Sequence, residues 1–198
     1  MFGPPGTGKT TCLVEGIKQV WTALPGCILA AAPSNTAADQ LAAHLARTVP
    51  ADQLLRIHAG SRPLEAVPQG LHHISNIGDL GYKFPPESEV RKFRILVTTL
   101  VTAGKLVSAV FPPNHFQHIF IDEAGQATEP ESCIALGGLV SAECGRLVMA
   151  GDPHQLGPVV RSSLAERHGL SVSLLERLMA DPLYRPSQLG YNTRCITK

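Results

Sequence analysis

The 198-residue sequence has almost no net charge, since 17 Lys and Arg against 16 Asp and Glu leave only +1. That excludes a strongly basic chain that grips nucleic acid by bulk phosphate neutralisation, so any such contact must be local. No apolar run approaches the roughly 18 residues of a membrane-spanning helix, and the N-terminus has no charged region followed by an apolar one. Neither a membrane span nor a secretory leader is expected, and the compartment is expected to be cytosolic or nuclear. The five cysteines, Cys12, Cys27, Cys133, Cys144 and Cys195, form no CxxC pair and no tight cluster with histidine. This argues against a zinc site and for reduced thiols. His72 and His73 stand together in a polar stretch without a ligand-spaced partner and read as solvated loop. No internal repeat is present.

With 44% hydrophobic residues the chain can build one core, and residues 1–198 read as one domain. Leu13, Ile17, Val20, Trp21 and Leu24 recur at three- and four-residue steps, an amphipathic helix ended by Pro25 and Gly26. Cys27–Ala32 is an apolar run halted by Pro33, hence a buried strand. Ser34 and Asn35 can cap a second helix with Ala37, Leu41 and Leu45 on one face and Asp39 near its positive end. Apolar runs at Ile95–Val97, Ile119–Ile121 and Leu147–Ala150 each lead into a turn. The alternation predicts an α/β fold, a parallel sheet with helices on both faces. Residues 48–92 carry five prolines and four glycines and read as an irregular surface excursion around one strand at Leu54–Ile57.

Gly3-Pro4-Pro5-Gly6-Thr7-Gly8-Lys9-Thr10 satisfies the P-loop pattern and opens a helix, and these residues with Thr11 are the candidate nucleotide-binding residues. Glycines let the backbone curl so that its N–H groups converge on phosphate oxygens, and the helix N-terminus adds a favourable dipole. Lys9 would reach the β- and γ-phosphates of ATP, and Thr10 would ligate Mg²⁺. Ile119-Phe120-Ile121-Asp122-Glu123 is an apolar strand ending in two acids: Asp122 to hold Mg²⁺, Glu123 to orient and deprotonate the attacking water. The run Gly151–Pro158 places Gln155, an uncharged side chain suited to sensing the γ-phosphate, after a third strand. By itself that run would read only as a turn.

Taken together, GPPGTGKT at 3–10, APSN at 32–35, DEAGQATEPE at 122–131 and GDPHQLGPVV at 151–160 resemble motifs I, Ia, II and III of superfamily 1 helicases. Within that superfamily the chain is similar to the branch containing the nonsense-mediated-decay helicase, above all to the RNA helicases related to Moloney leukaemia virus 10 and Armitage. Residues 98–104, 115–125 and 168–178 carry this likeness, which is weakest between Thr48 and Lys92. The resemblance implies a RecA-like P-loop NTPase domain using ATP and Mg²⁺ and moving 5′ to 3′ along single-stranded RNA. It implies further that Pro33, Ser34, Asn35, Thr98 and Thr99 line the RNA path, where read alone they are helix caps and turn residues. Silencing or RNA-decay ribonucleoprotein factors, and cytoplasmic ribonucleoprotein granules, are the implied partners and location.

The chain departs from the family pattern at both ends. A first strand and a glutamine-containing adenine-recognition motif are expected before Gly3, and a second RecA-like domain after Lys198. An arginine finger is worth roughly 10³ to 10⁵ in rate in comparable enzymes, so the chain is expected to bind Mg·ATP and turn it over poorly. It is also expected to be unstable, because a lost central strand leaves backbone groups unpaired. A ring-forming AAA+ ATPase would need a helical lid for which no room remains. A non-catalytic module that holds nucleotide or RNA is the other reading.

Overall fold

The apolar runs alternate cleanly between two faces, and this turns them into one sheet. In the strand Cys27–Ala32, Ile28, Ala30 and Ala32 pack into one apolar cluster, while Leu29 and Ala31 pack into a second on the opposite side. Successive strand residues point to opposite faces, so such a strand must be covered twice. The computed structural model of the protein describes residues 1–108, 115–137, 139 and 145–181.

In chain order α1 (Lys9–Ala23) leads to β1 (Cys27–Ala32), α2 (Asn35–Leu45) and β2 (Leu54–Arg56). Two 3₁₀ turns at Leu64–Ala66 and Gln69–Ile74 precede a small hairpin of β3 (Ile77–Gly78) and β4 (Gly81–Tyr82), then α3 (Glu87–Val90). The strand β5 (Ile95–Thr99), α4 (Leu100–Ser108), β6 (Phe116–Ile121), α5 (Glu129–Leu136) and β7 (Arg146–Met149) follow, then α6 (Ser163–Arg167) and α7 (Leu174–Ala180). The main sheet runs β2-β5-β1-β6-β7, every pairing parallel. The helices α1 and α2 cover one face, and α4, α5 and α7 the other.

The expected α/β fold with helices on both faces is therefore what forms, and it is RecA-like. In a parallel sheet every strand delivers its C-terminal end to the same edge, which is where ligands of such sheets bind. Met1 and Phe2 run along the outer side of β7: the N-terminal ammonium donates to Met149 O at 2.9 Å, Gly151 N donates to Met1 O at 3.3 Å, and Phe2 bridges Gly151 in parallel. Residues 48–92, expected as an excursion around one strand, hold the turns, the hairpin and α3, and send Val67, Leu71 and Ile74 into the core beside α2.

Cys12 is engaged in a disulfide, a correction to the expectation of reduced thiols. Bridging depends on approach in space, which chain spacing does not reveal. Cys27 and Cys133 are free, and Cys144 and Cys195 lie outside the described residues. Among the described residues no helix is long and apolar enough to cross a membrane.

Candidate nucleotide and nucleic-acid site

Gly6 and Gly8 adopt φ of 74° and 85°, the left-handed region that costs other residues energy, and a Cβ at either would meet nothing within 4 Å. Backbone conformation, not crowding, requires them. Gly8 caps α1, so the first turn of a 15-residue helix opens onto the loop with its N–H groups unpaired. The buried Lys9 ammonium folds back onto its own loop, donating to Gly3 O at 2.8 Å and Pro4 O at 3.1 Å, and Thr7 Oγ1 donates to Pro4 O at 2.8 Å. Pro5, Gly6 and Thr11 are exposed at the mouth.

Two strand ends complete the site. Asp122 follows β6 and is 2% exposed; its N donates to Ala31 O, and its Oδ1 accepts from Glu123 N at 3.0 Å. Burial holds the Asp122 carboxyl above its ordinary value, against the pull of the Thr10 hydroxyl, the Glu123 N–H and the Lys9 ammonium. Burial raises Glu123 too, helped by the charge of Asp122. Glu123 is the one non-glycine among the described residues with positive φ, 52°, a conformation that only surrounding structure can maintain.

What maintains it is the contact between the β6 and β7 ends. Ala124 N donates to Ala150 O at 2.8 Å, and a Cβ on Gly125 would lie 2.8 Å from Asp152 O. Asp152 Oδ1 accepts from His154 N at 2.9 Å and Oδ2 from Gln155 Nε2 at 2.8 Å. Burial opposes the ionised Asp152, but those donors win and hold its carboxyl below its ordinary value. Lys9 thus faces three carboxylates, Asp122, Glu123 and Asp152. Thr10 and Asp122 are the residues that could hold a divalent cation here, and among the described residues no group of three or more His, Cys, Asp or Glu is placed to hold one.

The residues expected on the RNA path gather on the same edge, where Ala32 of β1 pairs with Thr99 of β5. Ser34 Oγ accepts from Ala37 N at 3.1 Å and caps α2, and Asn35 is exposed as its first residue. Thr98 is fully buried and donates its hydroxyl to Ile57 O at 3.1 Å. Thr99 Oγ1 accepts from Thr102 N at 3.3 Å and donates to Thr102 Oγ1 at 2.8 Å, tying β5 to α4. Pro33 and Ser34 share a cleft of about 310 Å³ with Gln126, Thr128, Leu156 and Gly157, so the two halves of the edge adjoin.

Sequence reasoning missed one cluster beside them. Arg56, fully buried at the end of β2, donates from Nε to Asp39 Oδ1 at 3.0 Å, from Nη1 to Ile57 O at 2.7 Å and from Nη2 to Asn35 Oδ1 at 3.1 Å. Arg62 donates to Asp39 Oδ2 at 2.6 Å, Ala66 O at 2.7 Å and His58 Nδ1 at 3.0 Å. Because Nδ1 accepts, His58 carries its proton on Nε2 and donates to Ser75 Oγ at 3.0 Å, which donates on to Leu71 O. The available signal was a lone arginine inside an apolar strand, which burial cannot tolerate unpaired, with Asp39 one helical turn beyond Asn35.

The family described as "AAA domain" matches residues 1–77 and 71–163 of the chain. Among curated proteins, mov-10-B.1 of Danio rerio, a helicase by name, is 50% identical over 202 residues, covering 100% of this chain and 20% of its own length. The RNA helicase Mov10l1 of Homo sapiens is 44% identical over 194 residues, 96% of this chain and 15% of its own. The protein armi of Drosophila melanogaster, an RNA helicase by name, is 32% identical over 224 residues, 100% and 19%. The chain spans about a fifth of the length of these relatives. Of solved structures, the UvsW helicase from bacteriophage T4 shares the fold, with a TM-score of 0.50 and 15% identity over 87% of this chain and 52% of that one.

Proposed function

The chain belongs to the AAA-domain family and, within it, to the MOV-10 and Armitage-like helicases, and from that premise we propose that it is the nucleotide-binding motor domain of an ATP-dependent helicase that moves 5′ to 3′ along single-stranded RNA. One observation carries the reading: a glycine-curled P-loop whose Lys9 sits buried near the acids that close β6, on the strand edge that also presents Asn35 and Thr99.

Bound Mg·ATP supplies the phosphoanhydride that is broken and a cation that neutralises charge on its phosphates. The N–H groups of the Gly3–Thr10 loop cradle the phosphates. Lys9, which donates to the carbonyls of Gly3 and Pro4, would be released from them to hold the phosphates. Thr10 and Asp122 would hold the Mg²⁺, and Glu123 would take a proton from the attacking water. Its raised pKa suits a general base better than an ordinary carboxylate does. Gln155, which donates to Asp152, would turn to the γ-phosphate and so carry its presence to the β7 loop.

Turnover of ATP with and without single-stranded RNA tests this, on the chain and on a longer one carrying sequence on both sides of it, each beside Glu123→Gln. RNA-stimulated activity that Glu123→Gln removes is the expected result, stronger in the longer chain. Nucleotide binding without turnover in either would replace the motor with a binding module. On kinship alone the proposal extends to silencing and RNA-decay particles of the cytoplasm, to be checked by recovery of the tagged protein with such particles.

A further inference from the structure

Asn35 starts α2 with its side chain exposed, yet one end of its amide is fully spoken for. Its Oδ1 accepts from Arg56 Nη2 at 3.1 Å and from Arg62 Nη1 at 3.5 Å. Reversed, the amide would aim its N–H₂ group at two guanidinium groups, donors against donors. The Nδ2 group is therefore held on the side away from them, as a donor. The guanidinium groups are themselves immobilised, Arg56 by Asp39 and Ile57 O, Arg62 by Asp39 and Ala66 O. Asp39, with both oxygens engaged, is the hinge pin between helix α2 and the segment following β2.

We infer that Asp39, Arg56 and Arg62 are positioning residues for a nucleic-acid contact: they set the Asn35 amide so that its N–H₂ group meets an acceptor oxygen of the RNA backbone. The inference rests on the proposed function, with Asn35 on the RNA path as the family resemblance implies. It explains why a charge network sits beside a residue whose own chemistry is neutral. Two guanidinium forks against one carboxylate also leave one surplus positive charge next to the strand path. Lysine would supply that charge without the fork that orients the amide.

Anisotropy of a fluorescein-labelled oligouridylate, titrated with the full chain, tests it in a double-mutant cycle. Asn35→Asp keeps an acceptor for both arginines, removes the donor and adds a negative charge, so its loss of binding is read beside Asn35→Ala, which removes the donor without adding charge. Asn35→Asp should melt no lower than the unaltered chain and bind the oligouridylate about tenfold more weakly, the loss of one hydrogen bond to a charged group. Arg62→Gln should weaken binding by a similar factor alone and by little in an Asn35→Ala background, with trinitrophenyl-ATP affinity unchanged. Should Arg62→Gln fail to fold, Arg62→Lys takes its place in the cycle. Equal weakening in both backgrounds would show that Arg62 acts independently of Asn35 and overturn the inference, as would undiminished binding by Asn35→Asp. An unaltered chain that ignores the oligouridylate removes the RNA reading itself, a distinct failure.

Discussion

The two ends of the strand edge carry opposite charge and hold it in opposite ways. At the β6–β7 end, the Lys9 charge acts on three carboxylates while its direct partners are neutral carbonyls, and burial leaves Asp122 and Glu123 reluctant to ionise. At the β1–β2 end, two arginines outnumber Asp39, and every oxygen of that carboxylate has a donor. Burial works against the Asp39 charge as well, but Arg62 and Arg56 hold its carboxyl below the ordinary range. At one end the acids have, among the described residues, no ionic partner at salt-bridge distance and form a seat for something that arrives; at the other Asp39 holds both arginines in a clamp and leaves one positive charge over. A net charge of +1 conceals both, because it is summed over the whole chain and says nothing of where charge gathers.

The sharpest way to break this contrast is to alter one residue at each end and read both activity and stability. Glu123→Gln should lower RNA-stimulated ATP turnover by roughly 10² to 10⁴, the usual contribution of a general base, with little change in melting. Asp39→Asn should do the reverse in kind, lowering unfolding free energy by about 3–5 kcal/mol because two buried guanidinium groups lose their counter-charge. Denaturant titration measures it.

Acid sharpens the contrast further. His58 is pushed down to about 3, first by burial and then by Arg56 and Arg62, so it stays neutral in the fold while the unfolded chain protonates it near its ordinary 6.5. Between those values the unfolded state binds more protons, so stability rises with pH and is lost on acidification from about 6.5 downward. The depressed Asp39 adds a second loss, beginning near 3.8 and completed as pH falls through its lower folded value. A series of melts should show this decline, and His58→Gln should flatten it between about pH 7 and pH 5.

Glu123→Gly should raise stability by about 1 kcal/mol, since glycine adopts positive φ without strain, while abolishing turnover. The smallest effect belongs to the exposed pair of Arg177 with Glu129, at 2.7 Å. Arg177→Ala should change unfolding free energy by at most about 1 kcal/mol and leave the contrast untouched.

The five strands of the main sheet, α1 and α2 were legible because each follows from local pattern, apolar alternation with a glycine-rich loop and acids closing an apolar run, whereas the β3–β4 hairpin and the part played by Asp152 were not. Ser34 and Asn35 both read as caps, and Ser34 takes that role. The clamp was not legible, since Asp39, Arg56 and Arg62 meet only after β2 has been laid beside β5 and the following segment folded back over α2. The same holds for residues 57–83, where proline and glycine spacing indicated irregularity but not that Val67, Leu71 and Ile74 would reach the core. It holds again for Cys12.

The close approach of the β6 and β7 ends limits how this protein can change over generations. A Cβ on Gly125 would lie 2.8 Å from Asp152 O, and one on Gly151 would lie 2.7 Å from Gly125 N. Main chain bars each substitution, and main chain cannot be exchanged for something smaller. Most harmful core mutations can be rescued by trimming a neighbour; here only Leu175, 2.8 Å from the Gly151 position, could be trimmed. A lineage that loses either glycine has no second mutation to reach for, and the route back is reversion alone.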